Sequence, residues 1–147
     1  MKIRLKLLMY SIVVAASLCS STFTYAADET QGVLALVTSP EPQTQMMAMV
    51  LATQSLTKGK KVQIVLCSGG GDLVLKNSEE VLFEPLKKSP QMLLKNLIKE
   101  GANVQVCPLY LPSKGATQND MIEGVTMAKP SEVTDTLLQP DIKVLNF

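Results

Sequence analysis

Two cysteines, Cys67 and Cys107, are the residues of this 147-residue chain best suited to chemistry. Each ends a short apolar run, which is typical of a strand buried on both faces of a parallel sheet. The carboxyl ends of parallel strands meet at one edge, where sites form, and helix N-termini at that edge favour a reactive thiolate. The spacing therefore predicts two thiols on one reactive edge, although a free cysteine also serves as a small core residue.

Three glycines, Gly69, Gly70 and Gly71, follow the first of these cysteines. They do not match a phosphate-binding loop, because no Gly-Lys-Ser/Thr follows and the dinucleotide-binding spacing is missing. Two interpretations stay open, a tight turn that needs positive φ and a concavity of backbone N–H groups that binds an anion beside Cys67. Lys114, seven residues after Cys107, is a further candidate for stabilising an anion there.

The composition excludes several classes of site. The chain has no His, which excludes Ser-His-Asp and Cys-His catalysis and His-ligated zinc, and three Cys cannot form a Cys₄ zinc site. Its 14 basic and 13 acidic residues make no strong field for nucleic acid. Met46, Met47 and Met49 are soft ligands that suggest a Cu(I) site with the thiols, but methionine at helical spacing is typical core filler. We predict no cofactor and no metal.

Residues Met1 to Ala26 have the pattern of a secretory signal peptide. Three basic residues precede an apolar run over Leu7 to Leu18, which is too short to span a membrane, and Thr24-Tyr25-Ala26 offers a cleavage site. Cleavage removes three basic residues and no acidic one, so the net charge changes from +1 to −2, and Cys19 is lost. We therefore expect a periplasmic or secreted domain over residues 27–147, in a compartment where two thiols can pair.

Strands and helices alternate along this domain, which predicts a parallel sheet with helices on both faces. The predicted strands are Gly32 to Thr38, Lys61 to Cys67, Asn103 to Cys107, Val125 to Ala128 and Lys143 to Phe147. The first predicted helix runs from Pro42 to Lys58 and buries Met46, Met49, Val50 and Thr53. The second runs from Ser89-Pro90 to Gly101 and buries Leu94, Leu97 and Ile98. A short helix from Thr117 to Gly124 follows, and the last helix, Ser131 to Gln139, buries Val133, Leu137 and Leu138. Residues 73–88 are predicted to be a loop that has room for a short helix, and residues 108–115 are predicted to be a loop.

Several of these motifs, in this order, resemble the DsrE/DsrF-like family, and most closely its small exported members. The resemblance covers Gly32 to Phe147 and rests on Leu66-Cys67 with Gly71-Asp72-Leu73, the Ser89-Pro90 helix start, Gly101-Ala-Asn-Val-Gln-Val-Cys107 with Gly115, Asp120-Met-Ile-Glu-Gly-Val125, Ala128-Lys-Pro130 and Asp141-x-Lys-Val-Leu-x-Phe147.

This resemblance implies a three-layer α/β/α fold with a five-stranded parallel sheet, assembled as a trimer or hexamer. It also implies that Cys107 matches the cysteine that carries a persulfide in the family's sulfur-relay members. If the second and third strands are neighbours, as in the family, Cys67 lies close enough to Cys107 to form a disulfide. Cys67 itself and the predicted export depart from the relay pattern.

Three hypotheses follow. In the first, the protein binds or transfers sulfur as a sulfurtransferase or carrier: Cys107 accepts sulfur, Cys67 is the resolving thiol, and Lys114 with the glycine amides stabilises the anion. Its partners would be small sulfur species or a thiol protein, with no nucleic acid and, after cleavage, no membrane. In the second, it is a non-catalytic oligomeric binding module with a Cys67–Cys107 disulfide. In the third, the two cysteines and a methionine bind a soft metal.

Overall fold

A parallel β-sheet forms the centre of the protein. The computed structural model describes residues 30–147, so the signal peptide predicted over Met1 to Ala26 lies outside the described residues. The strands of the described part are β1 (Gly32–Val37), β2 (Lys61–Leu66), β3 (Asn103–Val106), β4 (Thr126–Met127) and β5 (Ile142–Asn146). They pair in the order β4-β3-β2-β1-β5, and every pairing is parallel. The predicted five-stranded parallel sheet is confirmed.

Helical segments connect the strands. The α-helices are α1 (Pro42–Thr57), α2 (Pro90–Lys99), α3 (Tyr110–Lys114) and α4 (Pro130–Leu137), and two 3₁₀-helices cover Ser68–Val74 and Gln118–Asp120. The predicted start of α2 is confirmed, because Ser89 Oγ accepts the N–H of Met92 at 3.1 Å and Pro90 follows. The predicted capping box of Thr117 and Asp120 is also present, although it begins a 3₁₀-helix.

The two faces of the sheet are covered unequally. Alternation along the strands sends Ala35 and Ile64 into the larger core, where α1 and α2 pack, and sends Leu34 and Val65 into a smaller cluster on the other face. Within residues 30–147, Val133 of α4 is the one helical residue that packs against that smaller cluster. The α/β fold therefore has helices on both faces, with a thin third layer.

The buried side of α1 differs from the predicted one. Its buried residues are Gln45, Ala48, Met49 and Ala52, so of the predicted residues Met49 alone is buried and Val50 is exposed. The helix is rotated toward its small residues because Gln45 finds backbone acceptors inside the protein. Its Nε2 donates to Ser39 O at 2.9 Å and to Gly69 O at 3.4 Å.

Two other sequence predictions were wrong. The α4 helix buries none of its residues, and Leu138 is 75% exposed, so Leu137 and Leu138 do not point inward. The segment 108–115, predicted to be a loop, contains helix α3, which ends at Gly115 in the left-handed conformation with φ 64°. Gly115 adopts this φ without the steric cost that a Cβ would add.

A buried glutamine of α2 fixes the chain beyond the first 3₁₀-helix. Gln91 Nε2 donates to Leu73 O at 2.9 Å and to Leu75 O at 2.7 Å. The chain beyond that point, predicted to be a loop, forms only isolated bridges before α2 begins. No helix within residues 30–147 is both long and apolar enough to cross a membrane.

Candidate functional site

The two cysteines lie side by side at the carboxyl edge of the sheet. Cys67 directly follows β2 and Cys107 directly follows β3, and the preceding residues Leu66 and Val106 are register partners. The parallel ladder continues to the cysteines, since the Cys107 N–H donates to Leu66 O at 2.8 Å. The two thiols are free and close enough to interact electrostatically. The structure thus brings together the two cysteines that the sequence predicted for one edge.

Both thiols open into a cavity of about 410 Å³. Its wall is formed by the residues that follow each cysteine, namely Ser68 and Gly69 on one side and Leu109, Tyr110, Ser113 and Lys114 on the other. Lys114 therefore reaches the cavity through α3, the helix that the sequence analysis missed. The cavity provides a pair of half-buried thiols that a small molecule or a partner's side chain can approach.

The glycines have different roles from those predicted. Gly69 lines the cavity, whereas the N–H groups of Gly70 and Gly71 donate to Thr38 O and Cys67 O, each at 3.3 Å. Those two amides are engaged by the protein, so the concavity of three glycine N–H groups that the sequence suggested does not form.

The glycines are needed for close packing. A Cβ on Gly70 would lie 2.2 Å from Val37 O, and one on Gly71 would lie 2.4 Å from the ring of Tyr110. The tight turn with positive φ is present at this point, but Ser68 adopts it, with φ 51°.

The two thiols are electrostatically unequal. Burial first, and then the interaction with the neighbouring Cys107 thiol, raise the pKa of the Cys67 thiol from 9.0 to about 11, against a smaller lowering by the Ser68 backbone N–H. Cys67 is therefore protonated at neutral pH. A neutral Cys67 thiol beside Cys107 is a hydrogen-bond donor for a negative charge on the Cys107 sulfur.

A carboxylate, a phenol and an ammonium group form a cluster beside the cavity that the sequence analysis did not predict. Asp72 Oδ1 accepts a hydrogen bond from Tyr110 Oη at 2.5 Å and pairs with Lys114 Nζ at 2.8 Å. Burial alone would raise the pKa of Asp72, but its bonds to Lys114 and Tyr110 outweigh burial and lower it. Burial and then the hydrogen bond to Asp72 raise the pKa of Tyr110, which stays a phenol.

The spacing of this cluster explains how it forms. Tyr110 and Lys114 are four residues apart on α3 and so share one face of that helix. Asp72 lies five residues after Cys67, in the 3₁₀-helix. The only signal in the sequence was that each of these residues follows a cysteine closely.

The structure gives no support to the soft-metal hypothesis. Met46, Met47 and Met49 lie on α1 and are absent from the wall of the thiol cavity. Within residues 30–147, no three His, Cys, Asp or Glu side chains come together as metal ligands.

Comparison with solved structures places this fold among known proteins. The YchN protein from E. coli aligns with a TM-score of 0.63 and 18% identity, over 80% of this chain and 99% of its own. MTH1491 from Methanobacterium thermoautotrophicum, described as a protein of unknown function, aligns with a TM-score of 0.58 and 13% identity, over 78% of this chain and 96% of its own. Both have the DsrE/DsrF-like fold, which is therefore the fold of this chain. No family model and no curated protein sequence matches it.

Proposed function

We propose that this protein is a sulfur-binding protein of the DsrE/DsrF-like family, which takes up sulfane sulfur as a persulfide on Cys107. One observation carries the proposal: two free thiols follow neighbouring strands and share an open cavity. A cysteine inside the core would be inert, whereas thiols at an open cavity are accessible to a sulfur donor. The DsrE-like fold and the motifs of the sequence support the family assignment.

The proposal gives the two cysteines different roles. Cys107 is the nucleophile, because the raised pKa of Cys67, about 11, keeps the Cys67 thiol protonated at neutral pH. Cys67 first donates a hydrogen bond to the Cys107 thiolate and later acts as the resolving thiol. Attack by a thiolate and resolution by a neighbouring thiol are the two steps of ordinary thiol exchange.

The chemistry balances without an external oxidant. The Cys107 thiolate attacks a terminal sulfur of an inorganic polysulfide dianion, the adjacent S–S bond breaks, and a polysulfide dianion shorter by one sulfur leaves. A partner thiolate then takes the outer sulfur and restores the Cys107 thiolate. In the absence of a partner, the Cys67 sulfur attacks the Cys107 sulfur and the outer sulfur leaves as hydrosulfide with the Cys67 proton. The two thiols are oxidised to a disulfide and the sulfane sulfur is reduced.

Sulfur loading tests this proposal. The reduced protein is mixed with inorganic polysulfide and its intact mass is measured without reductant. We expect Cys67→Ser to gain and retain one sulfur atom and Cys107→Ser to gain none. The two variants are matched, since each removes one thiol of the same pair. Loading of Cys107→Ser equal to that of Cys67→Ser would overturn the proposal.

The register of the two cysteines also favours a second function, a binding module that a Cys67–Cys107 disulfide stabilises. In that case the protein isolated from its native compartment contains the disulfide, and reduction followed by polysulfide adds no sulfur. The sulfur-binding function instead predicts that reduced Cys67→Ser protein, which lacks the resolving thiol, is loaded and keeps the sulfur. The intact mass of this variant after polysulfide treatment distinguishes the two.

We further propose export and self-association. The pattern of Met1 to Ala26 supports secretion to the periplasm or beyond, with cleavage after Ala26. The resemblance to the DsrE/DsrF-like family supports a trimer or hexamer. The mass of the protein purified from its compartment tests cleavage, and light scattering tests the oligomer; an uncleaved chain or a stable monomer would contradict these two proposals.

A further inference from the structure

The cluster of Asp72, Tyr110 and Lys114 connects the two segments that carry the thiols. Asp72 lies on the 3₁₀-helix that follows Cys67, and its partners lie on the helix that follows Cys107. One carboxylate oxygen receives both the phenol at 2.5 Å and the ammonium at 2.8 Å. These two contacts therefore tie the two segments together.

The ring of Tyr110 fixes the geometry of this cluster. Tyr110 is 3% exposed and packs so closely on the 3₁₀-helix that no Cβ fits at Gly71. Lys114 Nζ lies 5.7 Å from the centre of the same ring. The ammonium is thus held from two sides, by a carboxylate and by the face of an aromatic ring.

The charges that face the thiols are few. Of the residues lining the cavity, the titratable ones besides the thiols are Tyr110 and Lys114, and Asp72 is bonded to both. Since Tyr110 is neutral, the charges are one ammonium and one carboxylate, and they offset each other. The side chains of the pair are 45% and 41% exposed, so water screens their effect on the thiols without abolishing it.

We infer that Asp72 is a positioning residue that restrains the thiols: it holds Lys114 at the rim of the cavity and offsets the positive charge that would otherwise favour a thiolate. The inference rests on the proposed function in so far as the thiols are the reacting groups. The role of Lys114 then depends on Asp72: the ammonium stabilises an anion in the cavity only when its ion pair with Asp72 is weakened.

Two single variants give shifts of opposite sign. In Asp72→Asn the lysine charge is left without its offsetting partner, so the pH midpoint for alkylation of Cys107 falls. In Lys114→Gln the carboxylate is left alone, so the midpoint rises. A unit charge several ångströms away in a partly hydrated site shifts a midpoint by roughly half a pH unit or more.

The experiment measures the rate of iodoacetamide reaction against pH, with Cys67→Ser as the background so that Cys107 is the reporter in the folded domain. Glu100→Gln is the matched control, because Glu100 is an exposed carboxylate just before β3, at the sheet end opposite the thiols. We expect no shift for this control. Equal midpoints in all variants, or shifts of the same sign in Asp72→Asn and Lys114→Gln, would overturn the inference.

Two further measurements separate a structural role from the inferred one. Asp72→Glu keeps the charge and is expected to return the midpoint toward that of the parent, and thermal denaturation shows whether each variant is folded. If Asp72→Asn does not fold, Lys114→Gln decides: an upward shift supports the inference and no shift overturns it. Alkylation of Cys107 does not require sulfur transfer. The inference can therefore fail while polysulfide loading succeeds, and it can hold while loading fails.

Discussion

Oxidation of the purified protein with diamide is expected to join Cys67 and Cys107. The two residues directly follow the register pair Leu66 and Val106. Neighbouring strands lie about 4.8 Å apart, within the range of about 4.4–6.8 Å that Cα atoms of a disulfide span. Residues opposite each other on parallel strands send their side chains to the same side, and the two cysteines line the same cavity. The bridge therefore needs little backbone movement.

The size of the effect follows from the length of the closed loop. The cysteines are 40 positions apart in sequence. Closing a loop of that length lowers the entropy of the unfolded chain by an amount worth about 4 kcal/mol at 25 °C. For a domain of this size that corresponds to a rise in Tm on the order of 10 °C, which distortion of the native state would reduce.

The assay is thermal denaturation of oxidised and reduced protein, with intact mass to confirm the loss of two hydrogens. Cys67→Ser treated with diamide is the control, and its Tm is expected to stay unchanged. Persistence of both free thiols after oxidation would refute the deduction from register. A bridged protein that melts at a lower temperature than the reduced one would refute the claim that the native geometry accepts the bond.

Three other predictions concern stability and pH. Leu94→Ala removes a fully buried side chain and should lower the free energy of unfolding in urea by about 3 kcal/mol, whereas Leu138→Ala at an exposed site should leave it nearly unchanged. Ser89→Ala removes the N-cap of α2 and should cost about 1 kcal/mol in the same assay; an unchanged midpoint would mean that the cap is not used. The pKa of Cys67 is about 11 in the folded protein, against an ordinary value of 9.0. The stability linked to this shift is fully present below pH 9 and is lost as the pH rises through 11. Cys67→Ser should therefore lose less stability than the wild type between pH 9 and 11, as chemical denaturation at each pH would show, and equal losses would contradict the assignment.

The strands were predictable because a strand that is buried on both faces of the sheet has an almost continuous run of apolar residues. Gly32 to Val37 and Lys61 to Leu66 are short apolar runs between breaks, and each forms a strand within a residue of the prediction. The start of α2 was predictable because Ser89 and Pro90 act locally, through one hydrogen bond and one fixed φ.

The helix faces were less predictable because tertiary contacts decide them. Gln45 is buried only because Ser39 O and Gly69 O accept its amide, and both acceptors are outside α1. Leu137 and Leu138 had the spacing of a buried stripe, but the hydrophobic cluster against which α4 packs is small. Residues 108–115 were predicted to be a loop, yet they contain α3, and Pro112 fits within the first turn of this helix, where its missing N–H costs nothing.

The candidate site was likewise predictable only in part from the sequence. The positions of Cys67 and Cys107 at strand ends were enough to place both on one edge, since parallel strands share their carboxyl ends. The contact of Asp72 with Tyr110 and Lys114 was not predictable, because it joins residues up to 42 positions apart through two segments whose helical form is set by packing. Gly71 was noted for its freedom of φ, but its actual role is to make room for the ring of Tyr110.

The most direct test of the central claim is the location of sulfur after polysulfide treatment. Reduced Cys67→Ser protein is loaded, excess polysulfide is removed, and the persulfide is alkylated and mapped by peptide mass. The account predicts one additional sulfur on the peptide that contains Cys107, and none when Cys107 is also replaced by Ser. Unmodified Cys107 in folded, reduced protein would contradict the claim that this cysteine carries sulfur.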